Sequence, residues 1–230
     1  FSRNRFGLKT KYRFVEGAYG VYKDQFVYET QETIRQTNAM TEKEMLKLRV
    51  IRAFFFASVT LGEHLPLVNY LTKKNISFTK VCEELVEEGK KDSVFKKSVN
   101  WLIQQSIEEF FASPEDIERY VTKPENKDAL LTSNEFVKLN TGFFAKICLD
   151  KEQYDAYYKV LERVLLRLLP SNNSNVISDL LLLCRERNYF MRCMLDKKEK
   201  KLSLHFKPAT MDALEESGFI TSQHKILNGD

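Results

Sequence analysis

Residues 11–56, KYRFVEGAYGVYKDQFVYETQETIRQTNAMTEKEMLKLRVIRAFFF, contain the change of pattern that decides the fold. The first part is rich in aromatic and β-branched residues, which favour strands, and Lys23-Asp24 lies between two such runs where a tight reversal fits. The second part begins with Thr41-Glu42-Lys43-Glu44, a capping box whose hydroxyl and carboxylate satisfy free N–H groups at a helix start. The sequence therefore predicts a small hairpin or sheet over residues 11–34, followed by a helix that runs from Thr41 to Val59.

Beyond this stretch the patterns are almost all helical. Met45, Leu48, Ile51 and Phe55 recur at helical spacing and predict one apolar stripe. Gly89 is predicted to end a later helix, and KKLSLHF at 200–206 alternates like a short strand. We expect a mainly α protein with a small N-terminal β-hairpin or sheet, an irregular multi-helix bundle and a short C-terminal strand. The expected domains are a docking hairpin at 1–40 and a helical domain at 41–230.

Composition and charge narrow the classes of function. The 230 residues are 43% hydrophobic and 30% charged, as in ordinary globular proteins, and the formal charge of +4 does not favour a nucleic-acid partner. Apolar runs fall short of the ~18 residues of a membrane span. Four scattered cysteines without a CxxC pair indicate reduced thiols of a cytoplasmic protein. A chain that begins at Phe1 without Met also fits a segment of a longer protein.

The residue types that usually perform chemistry form no recognisable motif. His64, His205 and His224 stand singly, without HxxxH or HExxH spacing, so we expect core or surface histidines. GxSxG, GxxxxGK[ST] and GxGxxG are absent. In each aromatic cluster one ring of a neighbouring pair is expected to face the core rather than to stack on bases; the clusters are Phe54-Phe55-Phe56, Phe110-Phe111, Phe143-Phe144 and Tyr157-Tyr158. No catalytic residue and no metal ligand is predicted.

The best anion-binding candidate is an N-terminal basic set, because arginine forks recognise phosphate and carboxylate well. The alternative is a frayed, solvated segment that joins a preceding domain, and this alternative is the expectation. The set consists of Arg3, Arg5, Lys9, Lys11 and Arg13.

One family resemblance is carried by the strand, turn and helix order near the N-terminus. An EG.YG turn at Glu16, Gly17, Tyr19 and Gly20 is followed by an acidic strand ending at Glu29-Thr30 and by the helix start at Thr41. This order resembles the region that follows the catalytic barrel in bacterial radical S-adenosylmethionine proteins, many of which carry a cobalamin-binding domain. The resemblance covers residues 6–110 and contains no catalytic motif.

The resemblance implies an accessory role for this chain. The parent enzyme would bind a [4Fe–4S] cluster on a CxxxCxxC motif and cleave S-adenosylmethionine, with cobalamin as a further cofactor in some members. This chain contains no CxxxCxxC, so the resemblance implies a non-catalytic domain that caps or shapes the substrate side of a preceding barrel, its partner, or that forms a homodimer interface. Arg13, Glu16 and Tyr19 are then expected near the domain junction. The alternative is a stand-alone helical module that binds a protein partner.

Overall fold

The computed structural model describes residues 2–132, 139–170, 173–187 and 204–219. Over these residues the protein is mainly helical with an antiparallel sheet at the N-terminus, as the sequence predicts. Residues 204–206 of the predicted C-terminal strand are not in a strand, and its first residues lie outside the described part.

The elements follow one another with short connections. The order along the chain is α1 Ser2–Phe6, β1 Lys9–Tyr22, β2 Gln25–Gln36, α2 Glu42–Phe55, α3 Leu65–Lys73, α4 Phe78–Lys91, α5 Lys96–Glu108, α6 Pro114–Val121, α7 Pro124–Thr132, α8 Leu139–Leu149, α9 Lys151–Leu168, α10 Ser174–Arg187 and α11 Pro208–Glu216. A π-helical turn, Phe56–Thr60, extends α2 to within one residue of the predicted helix end.

The hairpin is an antiparallel two-stranded ribbon whose reversal is where the sequence places it. Lys23 and Asp24 have φ of 49° and 61°, the left-handed pair of a type I′ turn, whose twist matches that of the strands. Near its start β1 also pairs with a third segment. Tyr12 and Phe111 exchange two backbone hydrogen bonds of 2.9 and 2.7 Å. A ribbon of two strands is marginal alone, so this bridge helps to hold it against the residues that follow α5.

The EG.YG segment is not a turn, contrary to the prediction. It lies within β1, which runs unbroken from Lys9 to Tyr22. Phe14 pairs with Thr30 and Tyr19 pairs with Tyr28, so β1 carries extra residues between these two pairs, which is a bulge. Gly17 has a φ of 74°, which glycine adopts without the strain that a side chain would add. The bulge therefore changes the direction of β1 between Phe14 and Tyr19.

The predicted capping box at Thr41 forms, whereas the predicted stripe on α2 is partly wrong. Thr41 donates from its hydroxyl to Glu44 at 2.7 Å and from its backbone N–H at 2.8 Å. Ser113 and Asp116 satisfy each other in the same way at the start of α6. On α2, Leu48 is 48% exposed. The prediction spaced the stripe from Met45, whereas the buried face of the helix follows Val50, Ala53 and Phe54.

Gly89 does not end a helix, although the sequence predicts that it does. It lies inside α4, which continues to Lys91. A Cβ at this position would lie 2.9 Å from the Phe95 ring, and Phe95 is fully buried. Glycine is thus needed for a close approach of packed elements, which local sequence does not reveal.

By the density of internal contacts the chain divides into two compact units. The hairpin unit comprises residues 1–50 and 100–142, in which α6 and α7 pack against β1. The helical unit comprises residues 51–99 and 143–230, in which α9 packs against α4 and α10, and α3 packs against α10 and α11. The predicted domains, 1–40 and 41–230, stay a prediction.

Stacked and edge-on rings form the centre of the helical unit. Phe54 lies 5.2 Å from Phe143 and 6.2 Å from Tyr157, between ring centroids. Phe144 and Tyr158 are also buried, so both rings of these two neighbouring pairs lie inside, where the sequence predicts one of each. The prediction fails here because the second ring of each pair also finds partners inside the unit: Phe144 lies 5.9 Å from Tyr157, and Tyr158 lies 5.7 Å from His64.

Candidate functional site

A concave site lies within the hairpin unit. It is a cavity of about 530 Å³, a size typical of sites for small organic ligands. Residues from β1, from the second half of α2 and from α5 line it, together with residues that follow α5. The lining brings together side chains about a hundred positions apart in sequence, from Arg13 to Tyr120.

One wall of the cavity is aromatic. Phe14 is the centre of this wall, with its ring centroid 5.7 Å from that of Phe111, 6.1 Å from Tyr19 and 6.1 Å from Tyr120. Phe111 and Tyr120 are 5.3 Å apart in an edge-on arrangement. All four rings are half-buried, so each keeps apolar surface in contact with solvent. Such a wall favours a flat or apolar ligand body, whose burial removes this surface from water.

The lining also carries an ion-pair network centred on Glu109. Glu109 accepts from Arg49 at 2.6 Å and from Arg13 at 3.3 Å. Arg13 also donates to the amide oxygen of Gln31 at 2.6 and 2.7 Å, in the amide orientation that satisfies both groups. The side chains of Arg13, Arg49 and Glu109 are between 22% and 33% exposed, so solvent screens these pairs only in part.

Three guanidinium groups surround one aromatic ring in this network. The carbon atom Cζ lies 4.1 Å from the Phe110 centroid in Arg35, 5.7 Å in Arg49 and 5.9 Å in Arg13. Such distances allow cation–π attraction. We call Arg13, Arg35, Arg49, Glu109 and Phe110 the arginine cluster. Its position beside the cavity makes it the principal charged feature of the site.

The arginine cluster holds more positive charge than its carboxylates balance. Arg35 and Lys11 share a second carboxylate, Glu42, at 3.4 and 2.8 Å. Lys11 and then Arg35 stabilise its charged form by hydrogen bonding, which lowers the pKa of Glu42. Two carboxylates therefore pair with four cations among these side chains. Glu42 pairs with Lys11 and Arg35, and Glu109 pairs with Arg13 and Arg49.

Arg49 is the member of the arginine cluster that is least well satisfied. Its Nε is buried and finds no hydrogen-bond partner among the described residues. Burial lowers the pKa of Arg49, and repulsion from Arg13 and Arg35 acts in the same direction, while Glu109 opposes both. A buried cation with an unused donor and with like charges nearby favours a further anion close to it.

The structure brings together two of the three residues expected at the domain junction. Arg13 and Tyr19 line the same cavity. Glu16 lies between them in the bulged part of β1, and its side chain is outside the described set. Sequence reasoning missed Arg49 and Trp101, because they lie on helices that reach the site only through the tertiary fold. The only local signal was the unusual arginine on the apolar side of α2.

The N-terminal basic set is ordered, which corrects the expectation of a frayed segment. Ser2–Phe6 forms a short helix, and Arg3 binds Glu32 at 2.6 Å in an exposed pair. Hydrogen bonds first from Arg3 and then from Thr10 lower the pKa of Glu32 to about 2. Carboxylates of the hairpin unit thus partner three of the basic residues, Arg3, Lys11 and Arg13.

A second group of titratable residues lies in the helical unit and is fully buried. His64 Nδ1 is 3.0 Å from the Ser58 hydroxyl, and His64 Nε2 is 3.4 Å from the Tyr157 hydroxyl. Burial, with a smaller effect of Arg187, lowers the pKa of His64 to about 3, so the imidazole is neutral near pH 7. His64 is therefore the satisfied core histidine that the sequence predicts, and its zero exposure leaves a ligand no route to it.

Among the described residues the remaining candidate groups have structural roles. His205 is exposed, and His224 lies outside the described part. Cys82, Cys148 and Cys184 are free thiols, and burial raises the pKa of Cys82 and Cys184 to about 12. Within the described ranges no three His, Cys, Asp or Glu side chains are placed to hold a metal ion. None of the helices described has both the length and the apolar character needed to cross a membrane.

The comparisons with known proteins gave no match, whether against protein-family models, curated proteins or solved structures. The function must therefore be argued from the site and from the resemblance in sequence order.

Proposed function

We propose that this chain is a non-catalytic accessory domain of a bacterial radical S-adenosylmethionine enzyme, and that its hairpin unit shapes the substrate side of the enzyme. The observation that carries the proposal is the origin of the cavity walls. Arg13, Tyr19, Arg49 and Trp101 all belong to residues 6–110, the part of the chain that resembles the region following a radical barrel. The cavity is thus built largely from the segment that carries the resemblance.

In this proposal the barrel and the present chain have different roles in the radical reaction. A preceding barrel would supply the [4Fe–4S] cluster and S-adenosylmethionine, with cobalamin in addition in some members. This chain would hold part of the substrate and shield the radical intermediate from solvent and from competing hydrogen donors, which limits side reactions. Once a ligand covers it, the aromatic wall would reduce the access of water to this part of the site. The enzyme would act in the cytoplasm.

The hairpin offers a surface for docking on the barrel. At the reversal, Val21 is 59% exposed and Tyr22 is 63% exposed, and Val27 on the neighbouring strand is 46% exposed. Large apolar side chains clustered at the tip of a ribbon are costly in water and favour a protein contact. The bulge at Gly17 orients this tip relative to the cavity-lining half of β1. Among the described residues, the tip is therefore well suited to contact the barrel at the domain junction.

The proposal is tested on the protein encoded by the complete reading frame, purified without oxygen and supplied with reductant and S-adenosylmethionine. A double variant, Val21→Ser with Tyr22→Ser, weakens docking of the tip, and Leu182→Ser is the control because Leu182 is 41% exposed on α10 of the helical unit. We expect release of deoxyadenosine in all three proteins, with turnover of substrate reduced at least about tenfold in the double variant only. A protein that binds no iron and releases no deoxyadenosine contradicts the proposal.

The second candidate function is a stand-alone module that binds a protein partner, and the exposed tip favours it as well. In that case the same double variant abolishes capture of the partner, while deoxyadenosine release is absent in every variant. The two candidates thus give opposite results in the deoxyadenosine assay.

A further inference from the structure

The cavity combines features that together select a class of ligand. Its volume of about 530 Å³ exceeds that of a few water molecules and falls within the range of drug-sized sites. The residues Phe14, Tyr19 and Tyr120 are only partly buried, so some of their surface remains accessible to solvent. A ligand body that is aromatic or otherwise flat and apolar would cover it.

The charge beside the cavity selects the polar group of the ligand. Arg13 and Arg49 share one carboxylate, Glu109, and Arg35 lies behind them on the Phe110 ring. An incoming ammonium group would have to draw Glu109 away from two guanidinium groups, and would leave both without their partner. An incoming carboxylate meets a cluster in which the cations outnumber the carboxylates. Its binding therefore reduces the repulsion between the guanidinium groups.

A second acidic residue of the lining does not reverse this conclusion. Glu108 is exposed, and its two oxygens accept from the amides of Gln104 and Gln105 at 2.6 and 2.9 Å. This carboxylate is satisfied by neutral donors and solvent and adds little to the potential near Arg49.

We infer that the cavity of the hairpin unit binds an organic anion with an aromatic or flat apolar body, the carboxylate facing Arg49 and the body lying on the ring wall of Phe14 and Tyr120. This inference deepens the proposed function by naming the class of ligand that the cavity holds. Only the further statement that this ligand is part of the enzyme's substrate rests on the proposed function. Binding itself depends only on the hairpin unit and does not require the barrel.

Trp101 provides a direct readout, since it lines the cavity and is the one tryptophan of the 230 residues. Phenylpropionate is titrated into the protein without reductant or S-adenosylmethionine, and phenylpropylamine serves as the matched cation. The fluorescence that the parent protein shows and the Trp101→Phe variant lacks is the emission of Trp101. We expect phenylpropionate to change Trp101 emission and to bind at least about tenfold more tightly than phenylpropylamine, a difference of ~1.4 kcal/mol.

Two variants test which protein residues contact the charged group and the apolar body of the ligand. Arg49→Gln should weaken phenylpropionate at least about fivefold and leave phenylpropylamine unchanged, and Arg52→Gln, an exposed arginine on the same helix, should change neither. Tyr120→Leu should weaken both probes. If Arg49→Gln does not fold, the comparison of the two probes on the parent protein still decides the charge preference.

Several results overturn the inference. They are tighter binding of the amine, equal binding of the two probes, no binding of either, or calorimetric binding that leaves Trp101 emission unchanged. Because reductant and S-adenosylmethionine are absent, binding of phenylpropionate survives a failure of the deoxyadenosine assay, so the two proposals fail separately.

Discussion

Glu109 is the residue whose loss tests the arginine cluster most sharply, and Glu108 provides a matched control one position away. Glu109→Gln keeps the shape of the side chain and removes the charge shared by Arg13 and Arg49. At an effective dielectric constant of 20, unit charges 4 Å apart attract by about 4 kcal/mol, which is an upper bound here. Loss of one partner of a buried pair costs roughly 3–5 kcal/mol, and these side chains are about a quarter exposed, so we expect a loss of ~2 kcal/mol.

The measurement is urea unfolding followed by Trp101 emission, which reports on the hairpin unit because Trp101 belongs to it. Glu109→Gln should lower the midpoint with an unchanged slope, whereas Glu108→Gln should change stability by less than about 0.5 kcal/mol. The double variant Glu109→Gln with Arg49→Gln should be less destabilised than the sum of the single variants, because one of the two arginines that lose their carboxylate is also removed. Equal stability of the Glu109 and Glu108 variants would refute the reasoning.

Three further outcomes follow from the structure. Burial lowers the pKa of His64 to about 3, against 6.5 in the unfolded chain, so below pH 6.5 the unfolded state binds the proton preferentially. The free energy of unfolding should therefore fall by ~2 kcal/mol from pH 7 to pH 5, more steeply than in the His64→Gln variant. Gly89→Ala should destabilise the helical unit by ~1–2 kcal/mol in urea unfolding, since the new Cβ would lie 2.9 Å from the Phe95 ring. Replacing Lys23-Asp24 by Asn-Gly should stabilise the hairpin unit by ~0.5–1 kcal/mol, measured by the urea midpoint of Trp101 emission, because both positions have positive φ.

Each of these outcomes has a result that contradicts it. An equal pH slope in the parent protein and in His64→Gln would show that the buried imidazole is not the cause. A Gly89→Ala protein as stable as the parent would mean that the Phe95 ring moves aside without cost. A neutral or harmful Asn-Gly substitution would exclude the left-handed geometry of the turn.

The features that sequence reasoning predicts correctly are those fixed by neighbouring residues. The capping box of Thr41 with Glu44 spans only two intervening positions, and the Lys23-Asp24 reversal needs only the two strands around it. Their energetics are local, so the pattern and the structure agree.

The features that it misses depend on tertiary packing. Gly89 has the sequence context of a helix end, yet its role is set by the Phe95 ring, six positions later. Phe143 and Tyr157 have neighbours that would be expected to face solvent, but helices pack around them. The EG.YG segment has the composition of a turn, whereas strand pairing on both sides of it makes it a bulge.

The candidate site shows the same division. Arg13 and Tyr19 were selected through the resemblance, and the structure places them at one cavity. Arg49 and Trp101 could not be selected, because nothing within α2 or α5 indicates that these two helices contribute to one wall. The charge excess of the arginine cluster is likewise a property of contacts between distant residues.

The measurement that tests the central claim most directly is the sequence of the gene through the codons that precede Phe1. The proposed function predicts an in-frame barrel with a CxxxCxxC motif encoded before Phe1, in a protein that binds iron and cleaves S-adenosylmethionine. A start codon immediately before Phe1, or an upstream domain without that motif, would contradict it.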